Sequence, residues 1–393
     1  MSTPFPACGT EDLQAAVERV ALVAGKHVAR TDADATFPTA ALDAMRQSGL
    51  LGLLVPVEHG GLGGDLRSLI DTSIRLGRVD MSVAMIFAMH CQQVAALVNH
   101  GSAKLRQELL PEIAAGRLYL ASVTTETGKG GHLLSAATPL GQRDGELVLD
   151  RLAPIVTGGD HADGFLITMR SPDAQSPHEV SLVYAHRHQL EVSGSGEWDP
   201  LGMRASHSVA LHLAGRLPEH QIVGRNGDFR SISIQTFAPL AHLGWSACWL
   251  GTAAGALSRT VKMLRQSRKT AERDPLGSEF LLGRLAGARE RLDSVHALLS
   301  HSCRTVETSS DLSTPRIQLL LNSLKITASE ECYRAVDTLV DAVGMRHGYL
   351  RGSPTRLEQA LRDLRSTTLN YHNDRLRLAD GRLVLLDPEV TFA

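Results

Sequence analysis

The chain has 393 residues, enough for two or three domains and a large buried core. Apolar residues at 43% and charged residues at 21% are globular proportions, which excludes disordered, collagenous and coiled-coil classes. Forty Lys and Arg against 42 Asp and Glu give a net charge of −2, so no whole-protein field draws the chain to nucleic acid or anionic lipid. The cysteines Cys8, Cys91, Cys248, Cys303 and Cys332 lie far apart with no CxxC pair, which suggests neither a disulfide framework nor structural zinc and fits a reducing cytoplasm. Among 17 histidines no HExxH or paired ligand spacing occurs, and no metal is expected. The first residues lack a basic and an apolar signal region, and no run reaches roughly 18 uncharged apolar residues, so neither export nor a membrane span is expected.

From Glu11 to Arg117 apolar residues recur at i, i+3, i+4 and i+7, predicting a helical domain over 1–117. A Gly-rich break at Pro56–Gly64 interrupts it. Residues 118–224 change to short β-rich runs punctuated by Gly, Pro, Asp and Ser, the texture of a small antiparallel sandwich or barrel. Helical periodicity returns over 225–393 in segments long enough for bundle helices. The basic stretch Lys262–Arg273 has helical spacing and no interleaved aromatics, which reads as a solvated face.

Five phrases stand out along this α, β, α order. Gly49 to Gly64 reads Gly-Leu-Leu-Gly-Leu-Leu-Val-Pro-Val-Glu-His-Gly-Gly-Leu-Gly-Gly. Val123 to His132 reads Val-Thr-Thr-Glu-Thr-Gly-Lys-Gly-Gly-His, and Pro154 to Gly159 reads Pro-Ile-Val-Thr-Gly-Gly. Trp198 to Ser206 reads Trp-Asp-Pro-Leu-Gly-Met-Arg-Ala-Ser, and Arg362-Asp363 follows Gly348-Tyr349. In this order they resemble the acyl-CoA dehydrogenase superfamily over essentially the whole chain.

The resemblance implies an α+β fold with an N-terminal helical domain, a middle antiparallel β domain and a C-terminal four-helix bundle, assembled as a homotetramer. It also implies FAD, or FMN in a monooxygenase, contacted by Thr125 and Thr157 and by the backbone at Gly131 and Gly158. Arg268 opens the phrase through which a neighbouring subunit grips the cofactor in the family. Several positions depart from the family pattern. Gly131 and His132 replace its serine and aspartate, Ile155 stands where a tryptophan shields the flavin ring, and Asp341–His347 degrades a Gln-x-x-Gly-Gly phrase.

Acyl-thioester dehydrogenation needs a carboxylate to take the α proton. Counting on from Arg362-Asp363, the family's usual glutamate position holds Tyr371, and the alternative position falls near Ala241 and His242. Neither is a carboxylate. His372, flanked by Tyr371 and Asp374, is the replacement proton handler the residues offer, with His90 and His242 as further candidates. A histidine in the C-terminal lid also resembles the superfamily's monooxygenase branch, where His90 would lie on the helix facing the active site.

Two readings stay open: oxidation of an acyl thioester carried by CoA or a carrier protein, with an unusual base, and two-component monooxygenation using reduced flavin and O2. The expected partners are a small-molecule or acyl-thioester substrate, a flavin reductase or an electron-transfer flavoprotein, and further copies of the chain. A non-catalytic or nucleic-acid-binding homologue is opposed by the neutral charge and by the retained Thr125 and Thr157.

Overall fold

The N-terminal part is built from α1 (Thr10–Asp34), α2 (Thr39–Gln47), α3 (Leu66–Gly77), α4 (Met81–His100) and α5 (Ala103–Ala114), in a computed structural model that describes residues 10–126, 133–268 and 277–393. Short polar side chains start three of these helices: Asp65 accepts the Ser68 amide, Asp80 those of Ser82 and Val83, and Ser102 that of Leu105. Helix α4 has a mean hydropathy of 1.6 and, by length and composition alone, could cross a membrane. Here 89% of its apolar window is buried, because α3, the strand Leu120–Val123 and the later helix Ala238–Ser267 cover it.

The middle part has β1 (Leu120–Val123), β2 (Gly141–Arg143), β3 (Glu146–Thr157), β4 (Gly164–Arg170), β5 (Val180–His186), β6 (Leu190–Ser195), β7 (Ser208–Pro218) and β8 (Ile222–Val223). They form two four-stranded sheets, ordered β1-β4-β5-β8 and β2-β3-β7-β6. One pairing departs from the antiparallel expectation: β1 and β4 run parallel, with Leu120 opposite Gly164. The chain leaves β1 for the second sheet, builds β2 and β3 there, and returns to lay β4 beside β1 in the same direction.

Strand β3 alternates buried Leu147, Leu149, Arg151 and Ala153 with outward residues, until a bulge between Ala153 and Val156 leaves both Pro154 and Ile155 exposed. Proline has no N–H to give to the ladder, so it sits well at such a break.

The C-terminal part opens with α6 (Phe229–Ile232), which passes through a wider π-type turn at Ser233–Phe237 into α7 (Ala238–Ser267). Then come α8 (Glu279–Thr308), α9 (Pro315–Gly344), α10 (Leu357–Arg365) and α11 (Asn373–Val384). Helices α7, α8 and α9 pack on one another, and the fourth layer of the bundle is divided between α10 and α11, both against α9. The largest apolar cluster joins all three parts, with Phe87, Phe165, Leu211, Trp249 and Leu324 among its members.

Candidate active site

Thr125 follows β1, and its hydroxyl donates to the Ile155 carbonyl at the β3 bulge (2.9 Å). Ile155 is 52% exposed, an apolar side chain standing outward beside that hydroxyl. Two residues on, Thr157 bonds Ser208 (2.9 Å), and Ser208 bonds the buried Ser206 (2.9 Å), forming a chain of three hydroxyls. If Ser206 and Ser208 each donate along this chain, the Thr157 proton stays available to a ligand. Gly158 has a left-handed φ of 62°, and a Cβ there would stand 2.6 Å from the Tyr119 hydroxyl, so glycine is required. Its amide donates to the Ser206 carbonyl (3.1 Å), tying the ends of β3 and β7 together. His207 is left-handed as well, and its Nδ1 is buried without a hydrogen-bond partner.

Behind Thr125 lies a buried ion pair that sequence reading missed. Arg151, 1% exposed, meets the Glu126 carboxylate and donates to the Thr125 carbonyl (2.9 Å). Glu126 also accepts the amides of Ala137 (3.0 Å) and Thr138 (2.7 Å), so residues 125–126 and 137–138 are stapled together and to β3. Burial pulls the Arg151 guanidinium down, and the adjacent carboxylate opposes that pull. A signal was present: Arg151 occupies an inward position in the β3 alternation, where a charge needs a partner.

The loop that feeds β7 is fastened to the C-terminal part. The Met203 amide donates to Asp363 Oδ1 (2.7 Å), while Arg362 bonds Asp32 and the Leu201 carbonyl. Gly202 is so close to α10 that a Cβ would lie 2.1 Å from the Arg362 carbonyl. Burial pushes the Asp363 carboxyl up to about 8, with Asp32 and Asp80 adding to the shift. The Arg362-Asp363 phrase therefore joins the three parts of the chain.

From α10 the chain turns through 366–372 into α11. Tyr371 is half-buried with a left-handed φ of 49°, and burial raises its phenol. His372 is exposed and caps α11: its Nδ1 accepts the Asp374 amide (3.3 Å), with Asp374 Oδ2 at 3.5 Å. An Nδ1 that accepts leaves the ring proton on Nε2. Among the described residues no hydrogen bond, ion pair or ring contact links Tyr371 or His372 to Thr125 or Thr157. The link between them runs through α10 and the Met203 loop.

The other histidines have different settings. His90 is wholly buried, donating from Nε2 to the Leu51 carbonyl (2.9 Å) and accepting the Leu120 amide at Nδ1 (3.0 Å). Burial pushes it down to about 4, so it is a neutral brace between two backbone groups with no free nitrogen. His242 is buried too, donates from Nδ1 to the Leu321 carbonyl (3.1 Å), and is pushed down to about 4 by burial and then by the charge of Lys325. Gly131 lies outside the described residues, as does His132. Arg268 ends α7, its amide bonded to the Leu264 carbonyl (3.1 Å), and most of the phrase it opens lies outside the described residues.

The donor set fits a flavin. A flat heteroaromatic ring takes an apolar surface flanked by hydroxyls and backbone amides, and Ile155 between Thr125 and Thr157 offers that chemistry. Elsewhere the Gly-rich segment lines a cavity of about 510 Å³ with Ala95, Val98 and Leu240.

Residues 10–117 match the family described as acyl-CoA dehydrogenase, N-terminal domain, and residues 243–374 match acyl-CoA dehydrogenase, C-terminal domain. Between them they cover more than half the chain, which belongs to the acyl-CoA dehydrogenase superfamily and is an oxidoreductase. It is 24% identical to an acyl-CoA dehydrogenase of Bacillus subtilis over 338 residues, 85% of this chain and 86% of that one. It is 25% identical to the dibenzothiophene monooxygenase of Rhodococcus qingshengii over 331 residues, 78% of each. The fold matches FMN-bound TdsC from Paenibacillus sp. A11-2 with a TM-score of 0.85 at 21% identity, covering 98% of both chains.

Proposed function

We propose that the chain is a flavin-dependent monooxygenase that receives reduced flavin from a separate reductase and adds one oxygen atom of O2 to a small apolar molecule, releasing the other as water. One observation carries this reading. Both positions where the family holds a carboxylate base lack one, being Tyr371 and the Ala241–His242 pair, and His242 is buried against Leu321. The imidazole that remains, His372, presents an N–H at Nε2, which suits it to donate a hydrogen bond to a developing oxyanion rather than to take a proton from carbon.

Reduced flavin, when bound, would supply the two electrons that oxygen needs. Thr125 and Thr157 would orient the ring, Ile155 would lie against it, and the Tyr371 O–H and His372 N–H would offer hydrogen bonds to the reduced oxygen. FMN is favoured by the likeness to TdsC, and FAD by the family as a whole. We place the enzyme in the cytoplasm as a homotetramer. Exposed large apolar side chains gather in the C-terminal part, among them Phe280, Met345, Tyr349, Leu385 and Phe392, as expected of a face between subunits.

The second reading, oxidation of an acyl thioester, rests on Asp374. Its carboxylate is 3.5 Å from His372 Nδ1 and could take that N–H in the other tautomer, freeing Nε2 to act as a base. One experiment separates the two. Oxygen uptake with a flavin reductase and NADH, yielding an oxygenated product, supports the monooxygenase. Anaerobic bleaching of bound flavin by an acyl thioester would overturn it in favour of the dehydrogenase. In either case His372→Ala is expected to lower turnover by about 10²- to 10⁴-fold with flavin binding intact.

A further inference from the structure

Lys325 lies on α9 with its side chain wholly buried. It falls on the inward stripe of that helix with Leu321, Leu324 and Ala328. Its ammonium donates to the Thr367 carbonyl (3.1 Å), the Tyr371 carbonyl (3.1 Å) and Asn373 Oδ1 (2.7 Å), and it lies 5.6 Å from the centre of the Trp249 ring. An ammonium has three donors, and all three are used. All three acceptors fall within residues 367–373, the turn that carries Tyr371 and His372.

The turn has few other anchors to the bundle. Thr367 donates to the Ser329 carbonyl (2.8 Å), and the Asn373 amide group reaches Ser329 Oγ (3.0 Å) and Glu330 (3.2 Å). Tyr371 holds a left-handed φ that a bulky residue adopts only when its surroundings impose it. The bond from Lys325 to the Tyr371 carbonyl is the restraint at that peptide. A methionine of similar length would fill the same space and supply none of these donors.

We propose that Lys325 is a positioning residue: it fixes the 367–373 turn and thereby sets where the Tyr371 phenol and the His372 imidazole stand. The catalytic half rests on the reading above, and the structural half stands without it.

The experiment uses the full chain carrying Lys325→Met, with Asn373→Ala as the milder variant should the first fail to fold. Loss of one or two charge-assisted bonds corresponds to about tenfold or more in local opening. Amide exchange in 366–373 of the purified protein should therefore rise by that factor, while α7 and the central turns of α9 keep their protection. Flavin affinity should hold within about twofold, and turnover should fall about tenfold or more with substrate KM little changed. Unchanged exchange in 366–373 of a folded variant overturns the proposal, as does a rise spread evenly over α7, α8 and α9, which would mark a simple core residue. Turnover unchanged despite faster exchange overturns the catalytic half. A wild-type protein that binds no flavin would sink the functional reading, while the exchange comparison would still judge Lys325.

Discussion

Replacing Arg151 by methionine tests whether the ion pair beneath Thr125 organises the side of the site proposed to hold flavin. The pair is buried on both sides, with Arg151 1% and Glu126 8% exposed. Removing one partner of such a pair destabilises a protein by about 3–5 kcal/mol, because the other charge stays buried. Glu126 would keep the Ala137 and Thr138 amides, which places the effect at the lower end, near 3 kcal/mol. Thr125 would lose the donor on its carbonyl, and a loosened Thr125 should weaken flavin binding by roughly threefold to tenfold. The companion is the double variant Arg151→Met with Glu126→Gln, which leaves no charge behind and should recover much of the lost stability. Urea midpoints for the wild type, both single variants and the double variant, with flavin titrations by fluorescence, give the full cycle. A single variant as stable as the wild type would refute the reasoning, as would a double variant no better than Arg151→Met.

His90→Ala should leave the Leu51 carbonyl and the Leu120 amide unsatisfied, lowering stability by about 1–3 kcal/mol per group while turnover per folded molecule holds. Lost turnover at full thermal stability would return His90 to the catalytic list. The Asp363 carboxyl is raised from 3.8 to about 8, so between those values the native state holds a proton that the unfolded chain releases. Its contribution to stability is complete below about pH 4 and is lost as pH rises through about 8, with a slope of at most about 1.4 kcal/mol per unit. Asp363→Asn should flatten that part of a stability–pH curve, and an unaltered curve would count against the assignment. Gly202→Ala should drive α10 away from the Met203 loop and lower the melting temperature, since the new Cβ would stand 2.1 Å from a backbone oxygen.

The order of parts was legible because helical periodicity and runs of β-forming residues are local signals, and α3 carries the first, β4 and β5 the second, within a few residues. The parallel pairing of β1 with β4 was not, since it depends on a detour of about 40 residues through another sheet. Thr125 and Thr157 were singled out by the phrases around them, whereas the partnership of Glu126 with Arg151 is a contact at long range that no local pattern announces. His90 shows the limit from the other side. A histidine in an apolar helix reads as chemistry, and what decides its role is a pair of backbone groups from the Leu51 turn and β1. Lys325 was legible in part: a lone charge on the inward stripe of α9 demands acceptors, but not which segment supplies them.

The apolar character of α4 also bears on how the chain is made. Its covers come from α3 just before it, from β1 shortly after, and from α7. Helix α4 ends at His100 and α7 begins at Ala238, so about 140 residues of synthesis separate the helix from that cover. At about 5–20 residues per second this leaves an oily rod exposed for roughly 7–28 seconds. The nascent chain should need a chaperone over that interval, and a fragment truncated before α7 should precipitate rather than fold.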